Sequence, residues 1–256
     1  MSTSSAITEA HLDDYRAKGW VCVEGLYRRE EADRAAEAIL AIADRERDTA
    51  KAGYNVDISK DGERAPRKVN EPFVKDSYCR GMLLDARLRD CLRQLLNAEP
   101  LLMVDQALLK PPRFGSAKPY HQDNYYFRCR PDDEVITAWI ALDDVDEENG
   151  CLRYIDGSHR GPILSHDQVP GEDHNYVPPP ELIDLNKESL AVARKGAVVF
   201  HHSRALHTSH RNESDRWRRG WATHWVTANV TSDTETLVRA YFRRPELQAV
   251  PRPSNI

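Results

Sequence analysis

The stretch Pro119-Tyr120-His121-Gln122-Asp123 sets an imidazole and a carboxylate two residues apart. Positions two apart on a strand project to one face, so His121 and Asp123 can grip a single ion together. A lone His-x-Asp arises often by chance and needs a third ligand from a distant strand. His201, His202, His207 and His210 form a cluster from which it can come. Two imidazoles and one carboxylate leave three positions open on an octahedral iron(II), which suits oxygen plus a bidentate co-substrate.

Downstream of His207, the turn formers Asn212, Ser214 and Asp215 precede Arg218. A hairpin centred at Asn212–Glu213 would set His207 and Arg218 directly opposite each other on one face. A permanently charged planar fork beside a metal is a natural anchor for a carboxylate. Arg211, Arg216 and Arg219 are close by, so composition leaves open that Arg218 is one more surface arginine.

Around these residues the chain reads as short apolar runs broken by turn residues. Leu101–Leu109, Val135–Leu142, Cys151–Ile155, Ala197–His201 and Gly220–Thr227 are the expected strands. The first hundred residues differ. Thr8 caps a short helix to about Lys18, where Gly19 suits a left-handed end, and Trp20–Val23 reads as a short strand. Ala32, Ala35, Ile39 and Ile42 mark a helix from Tyr27 to about Thr49. Leu84, Leu88, Cys91, Leu92 and Leu95 mark another over roughly Tyr78–Leu96, ended by Asn97 and Pro100. Helices followed by strands predict an α+β fold, mainly β, an antiparallel sandwich or barrel with flanking N-terminal helices. With no internal repeat and no Gly/Ser linker, one domain over 1–256 is expected, helical to about 100 and β from about 101 to 245. Ala50–Pro72 and Gly161–Pro180 lack periodicity and read either as lids or as surface insertions.

Bulk properties narrow the partners. The 256 residues carry 36 basic and 41 acidic side chains, a net charge of −5, which gives no general attraction to phosphate backbones or anionic lipid. A small-molecule substrate is expected, rather than nucleic acid or membrane. Met1–Ala10 has neither a basic nor an apolar leader segment, and Ala38–Ala43 is too short to span a bilayer. Five cysteines without a CxxC pair argue against a disulfide scaffold or zinc ribbon, so a cytoplasmic setting is expected.

From about Leu101 to Trp225, and more loosely from Lys68, the chain resembles the phytanoyl-CoA dioxygenase family of iron(II)/2-oxoglutarate oxygenases. The matching text includes Leu109-Lys110-Pro111-Pro112, His121-Gln122-Asp123, Ala138-Trp139 and Asp146-Glu147-Glu148-Asn149-Gly150-Cys151-Leu152. Gly157-Ser158-His159 follows, and Gly196-Ala197-Val198-Val199-Phe200 leads towards His207. The resemblance implies a double-stranded β-helix (jelly roll, cupin-like) with iron(II) on His121, Asp123 and His207. It implies that Arg218, assisted by Ser209, holds the far carboxylate of 2-oxoglutarate, with Gln106, Trp139 and Lys68 at other co-substrate positions. Read without the family, Trp139 is a core aromatic and Lys68 a solvated charge.

The implied reaction consumes oxygen and 2-oxoglutarate and yields succinate, carbon dioxide and a hydroxylated product. Halogenating relatives lack the carboxylate ligand, so Asp123 points to hydroxylation or a related oxidation. Tyr120, Tyr125, Tyr126 and Phe127 are expected near the substrate, with His224 an interior histidine close by. His201 and His202 read as structural or pocket-lining, His210 as a turn residue, and His159 as support for the turn at Gly157. Nothing resembles a coenzyme A site, and a small polar metabolite or natural-product intermediate is the expected substrate. Two alternatives stay open: a cupin-like metalloenzyme that does not use 2-oxoglutarate, and a non-catalytic jelly-roll binding protein.

Overall fold

A computed structural model describes residues 6–172, 175–244 and 247. Residues 1–5 of the expected leaderless terminus, 173–174 of the second long loop and 245 of the expected β core lie outside them.

The first helix, α1 (Glu9–Lys18), begins where Thr8 accepts from the His11 N–H and ends at Gly19, whose φ of 87° closes the last turn. Glycine is also required there for space, because a Cβ would lie 2.4 Å from His159 Nδ1. Helix α2 (Arg29–Arg45) buries Ala32, Ala35, Ala36, Ile39 and Ile42 on one stripe. The expected helix over Tyr78–Leu96 is two helices, α3 (Ser77–Leu83) and α4 (Ala86–Leu96). Asp85 breaks them apart: its backbone is extended and its carboxylate caps α4 by accepting from the Arg87 N–H at 2.8 Å. Leu84, expected on the apolar stripe, falls in this break and is 37% exposed.

Ten strands build two antiparallel sheets. They are β1 (Trp20–Val23), β2 (Lys68–Asn70), β3 (Leu101–Lys110), β4 (Lys118–His121), β5 (Val135–Ala141), β6 (Leu152–Ile155), β7 (Glu188–Ala191), β8 (Val198–His202), β9 (His207–Ser209) and β10 (Arg218–Val226). The larger sheet has the order β1-β8-β5-β10-β3-β2, and the smaller β7-β6-β9-β4. The largely helical first hundred residues therefore also supply both edge strands of the larger sheet.

Alternation along the strands sorts side chains to two faces of the larger sheet. Val21, Ile136, Ala138, Ile140, Val198, Phe200, Trp221 and Trp225 pack with Ala35, Ile39, Leu83, Leu88 and Leu92 of the helices. Burial of each large apolar side chain in this layer contributes about 1.5–3 kcal/mol. The other face, with Trp139, Ala141, Val199 and Ala222, packs against Leu152 and Tyr154 of the smaller sheet. Trp20 stacks on Tyr154 at 4.8 Å between ring centres. The space between the sheets is where the chemistry-bearing residues meet.

The two unassigned stretches carry structure. Within 50–72, Val56–Ile58 pairs with Arg64–Pro66, and β2 joins the larger sheet. Within 161–180, Asp167–Gln168 pairs with Tyr176–Val177. Among the described residues no helix is long and apolar enough to cross a membrane.

Candidate metal and co-substrate site

His121 ends β4 and faces His207 of β9 in register, with ring centres 4.1 Å apart. Asp123 is not the strand neighbour that its spacing predicts. The strand stops at His121, Gln122 stays extended, and Asp123 is the first residue of a short helix, α5 (Asp123–Phe127). The Asn124 N–H, bonded to Ser203 O at 3.0 Å, helps to fix this turn, and the carboxylate still swings to the imidazoles. Ligand atoms of His121, Asp123 and His207 lie within 4.8 Å of one another, and all three residues are buried.

The proton positions in this cluster follow from hydrogen bonding. His121 Nδ1 is 2.9 Å from Pro119 O, and His207 Nδ1 is 2.9 Å from Ala205 O. A carbonyl only accepts, so each Nδ1 carries the proton and each Nε2 of the neutral ring presents a lone pair. Asp123 Oδ1 lies 3.6 Å from His121 Nε2 and 3.8 Å from His207 Nε2, too far for a hydrogen bond. Burial and the His207 ring push His121 down to about 3, so it is neutral at pH 7. Burial works against ionisation of Asp123, but its surrounding hydrogen bonds, the His201 Nε2 contact at 3.0 Å among them, outweigh it and hold the carboxyl well below the usual range. Three lone-pair atoms thus converge with no proton between them, a donor set that fits a divalent cation.

A second polar group lies on the larger sheet. Arg218 is 2% exposed, and its guanidinium donates to Gly150 O at 3.0 Å, Leu108 O at 3.3 Å and Ser209 Oγ at 3.3 Å. None of these partners is a carboxylate, and burial pulls its pKa down to about 10. A buried cation held only by neutral acceptors is ready to take an anion. Its group lies 5.6 Å from the Trp139 ring centre. Trp139 Nε1 is buried without a partner, a free donor beside the same space.

Register brings the other expected co-substrate residues to this face. Gln106 is the partner of Ala222 and of Asn70, Ala222 that of Trp139, and Lys68 that of Leu108. Lys68 Nζ donates to Tyr54 Oη at 3.2 Å. The expected hairpin linking His207 to Arg218 does not form. His207 pairs within the smaller sheet and Arg218 pairs with Lys110 in the larger, so the chain between them crosses from sheet to sheet. Arg218 meets Ser209 across the gap instead of along a ladder.

Of the aromatic residues near the motif, Tyr126 lies edge-on to His121 with centres 6.0 Å apart, and Tyr125 stacks on His166 at 4.1 Å. Phe127 lies edge-on to His224 at 4.7 Å. Tyr120 points the opposite way and donates to Glu188, the partner of Arg153, so it is removed from the pocket group. Gln122 also faces away and anchors the second long loop, donating to Pro162 O and accepting from the Leu164 N–H.

Sequence reasoning missed Lys110, buried opposite Arg218, whose Nζ donates to Ser116 O, Ser209 O and His210 O. Burial and the Arg218 charge hold its pKa well below the ordinary lysine value. It stands in the quoted Leu109-Lys110-Pro111-Pro112, and only the register gives it this position. Thr137 and Tyr154, which reach the site through hydrogen bonds, had no local signal at all.

Inside a sandwich of antiparallel sheets two imidazoles and one carboxylate converge, a donor set of the kind that non-haem iron sites use. The family model described as phytanoyl-CoA dioxygenase (PhyH) matches residues 15–220, and the chain belongs to that family. The peroxisomal phytanoyl-CoA dioxygenase of Bos taurus is 35% identical over 138 residues, which cover 51% of this chain and 41% of that protein. The chain thus matches about two fifths of that curated relative. A probable alpha-ketoglutarate-dependent hypophosphite dioxygenase of Stutzerimonas stutzeri is 28% identical over 213 residues, 80% of this chain and 74% of that one. Among solved structures, the non-heme alpha-ketoglutarate-dependent carbocyclase SnoK of nogalamycin biosynthesis superposes with a TM-score of 0.71 at 23% identity, covering 90% of this chain and 89% of that one. EvdO2 from Micromonospora carbonacea var. aurantiaca, complexed with 2-oxoglutarate, gives 0.68 at 23% identity, covering 93% and 99%. These two likenesses speak for the fold. The family's cofactor set is iron(II), 2-oxoglutarate and oxygen, and the His–Asp–His cluster suits its metal.

Proposed function

We propose that the chain is a single-domain iron(II)- and 2-oxoglutarate-dependent dioxygenase on a double-stranded β-helix, hydroxylating a small polar metabolite or natural-product intermediate. The observation that carries this reading is a His–Asp–His cluster between the sheets with a buried arginine that has neutral acceptors and meets Ser209, two residues beyond His207 on the same strand. His121, Asp123 and His207 would hold the iron. Arg218 and Ser209 would hold the far carboxylate of 2-oxoglutarate, with Trp139 Nε1, Gln106 and Lys68 as further contacts. When bound, iron(II) with 2-oxoglutarate and oxygen supplies the oxidant that removes a substrate hydrogen, with release of succinate and carbon dioxide.

The chain's own residues do the rest. The carbonyls of Pro119 and Ala205 hold both imidazoles in the metal-binding tautomer. Burial of Arg218 strengthens its attraction for a carboxylate, because little water competes. Tyr126 and Phe127 border the cluster and would orient the substrate and exclude water. In a metalloenzyme that does not use 2-oxoglutarate, or in a pure binder, the guanidinium would only cross-link Gly150 O, Leu108 O and Ser209 Oγ.

The test is a screen of small metabolites for substrate-stimulated succinate release by the iron-loaded protein. Excess chloride is present, and products are read by mass spectrometry. We expect stimulation and a product heavier by one oxygen. No succinate with any metabolite, and none in its absence, would overturn the reading. A chlorinated product would show that Asp123 does not occupy the position assigned to it.

A further inference from the structure

The two oxygens of Asp123 meet different surroundings. Oδ1 faces the lone-pair nitrogens of His121 and His207. Oδ2 accepts from Thr137 Oγ1 at 2.7 Å and from His201 Nε2 at 3.0 Å. Thr137 has one hydroxyl proton and commits it to Asp123, so its oxygen accepts from His224 Nδ1 at 2.9 Å. His201 commits its Nε2 proton to Asp123, so its Nδ1 accepts from the Tyr154 hydroxyl at 2.8 Å. Reversing the His201 tautomer would set a nitrogen lone pair against a carboxylate oxygen at 3.0 Å. With neutral rings, one arrangement of protons satisfies these contacts around an ionised Asp123.

The architecture behind this is one row of the larger sheet. His201, Thr137 and His224 are register partners on β8, β5 and β10, and all three point between the sheets. His121 and His207 come from the opposite, smaller sheet, and so does Tyr154, the partner of His207. One sheet presents the ligand imidazoles while the other grips the carboxylate from behind. A carboxylate free to turn can chelate with both oxygens and take a second coordination position. One with an oxygen already saturated presents a single atom.

We propose that Thr137 and His201 are positioning residues that clamp Asp123 by its Oδ2, so that Oδ1 alone ligates the metal. Tyr154 and His224 fix the direction of the clamp's hydrogen bonds. The proposal rests on the metal reading of the His–Asp–His cluster and adds to it the residues that set the carboxylate's posture.

Cobalt(II) added to the metal-free full chain tests it, because its d–d absorption reports ligand geometry and its titration reports affinity. Thr137→Val keeps a similar shape without the hydroxyl. It is expected to weaken cobalt(II) binding by about ten- to hundred-fold and to change the absorption bands. Thr137→Ser, which restores the donor, returns both towards wild type, a rescue that a packing role would not produce. His201→Leu is expected to match Thr137→Val and is the independent variant if the latter does not fold, with the metal-free thermal midpoint read for each. Wild-type affinity and bands in Thr137→Val and His201→Leu would overturn the clamp and leave the metal site standing. Absence of cobalt(II) binding by the wild type would overturn the metal site, and the clamp with it.

Discussion

Arg218 stands at the residue scale as a charge taken out of water without a counter-charge. Desolvating a guanidinium is costly, and three neutral acceptors compensate only in part. A carboxylate arriving beside it completes a charge-assisted pair. Arg218→Lys keeps the charge but loses the planar fork. Loss of such a bond costs about 1.5–3 kcal/mol, so the apparent affinity for 2-oxoglutarate should fall by about ten- to hundred-fold. Titration of 2-oxoglutarate into the cobalt(II) form, read by calorimetry, checks this; an unchanged affinity would transfer the anchor to Lys68 or Lys110. The metal ligands make a sharper prediction. Alanine at His121, Asp123 or His207 should abolish cobalt(II) binding, since three ligands leave no spare. His202→Ala should retain it, because His202 Nε2 meets Asp133 at 3.1 Å, outside the cluster. Metal loss in His202→Ala with retention in His207→Ala would reverse the choice of ligand.

At the scale of elements, β5 and β10 set how closely the co-substrate face can pack. Gly220 is the register partner of Ala141, and a Cβ there would lie 1.9 Å from Trp139 Cζ2. Ordinary overpacking costs about 1–3 kcal/mol, and this contact is with a ring that has little room to move. Gly220→Ala should therefore lower the thermal midpoint and shift Trp139 fluorescence; wild-type values for both would mean that the indole has space. The same strands show what was legible in the sequence. Their alternation of apolar residues is local and survived intact, with ends displaced by only one or two residues. The break between α3 and α4 was hidden because Leu84 and Leu88 keep helical spacing across Asp85, whose capping role depends on backbone geometry. The hairpin between His207 and Arg218 failed for a related reason: turn formers announce that a chain turns, not which sheet receives it. His121 and Asp123 converge as their spacing proposed, but through the first residue of α5 and not through strand parity. The clamp residues Thr137, His201 and Tyr154 depend on pairings between distant segments, which no single stretch encodes.

For the whole molecule, buried neutral histidines tie stability to pH. Burial pushes His121 down to about 3, and His201 and His202 to about 4, from an ordinary value of 6.5. Each stays unprotonated in the folded chain while its unfolded counterpart takes up a proton below pH 6.5. The unfolded state then binds more protons, so stability is complete above 6.5 and is lost as pH falls towards 4, at about 1.4 kcal/mol per pH unit for each group. Asp105 opposes this. It accepts from Trp221 Nε1, Tyr241 Oη and the Phe73 N–H, and burial raises its pKa to about 6. The folded chain therefore binds its proton more tightly, and between pH 4 and 6 its contribution grows as pH falls. These three histidines outweigh the one aspartate, and His159, His166, His210 and His224, which burial also pulls below the ordinary value, act in the same direction. The metal-free protein should lose thermal midpoint steadily from pH 7 to pH 5, most steeply below 6. Saturating cobalt(II) should raise the midpoint by mass action at both pH 7 and pH 5, because His121 stays neutral in the folded chain across this range. Thermal scans of both forms across this range decide the matter: a metal-free midpoint flat from pH 7 to 5 would show that these histidines are not held neutral in the folded chain.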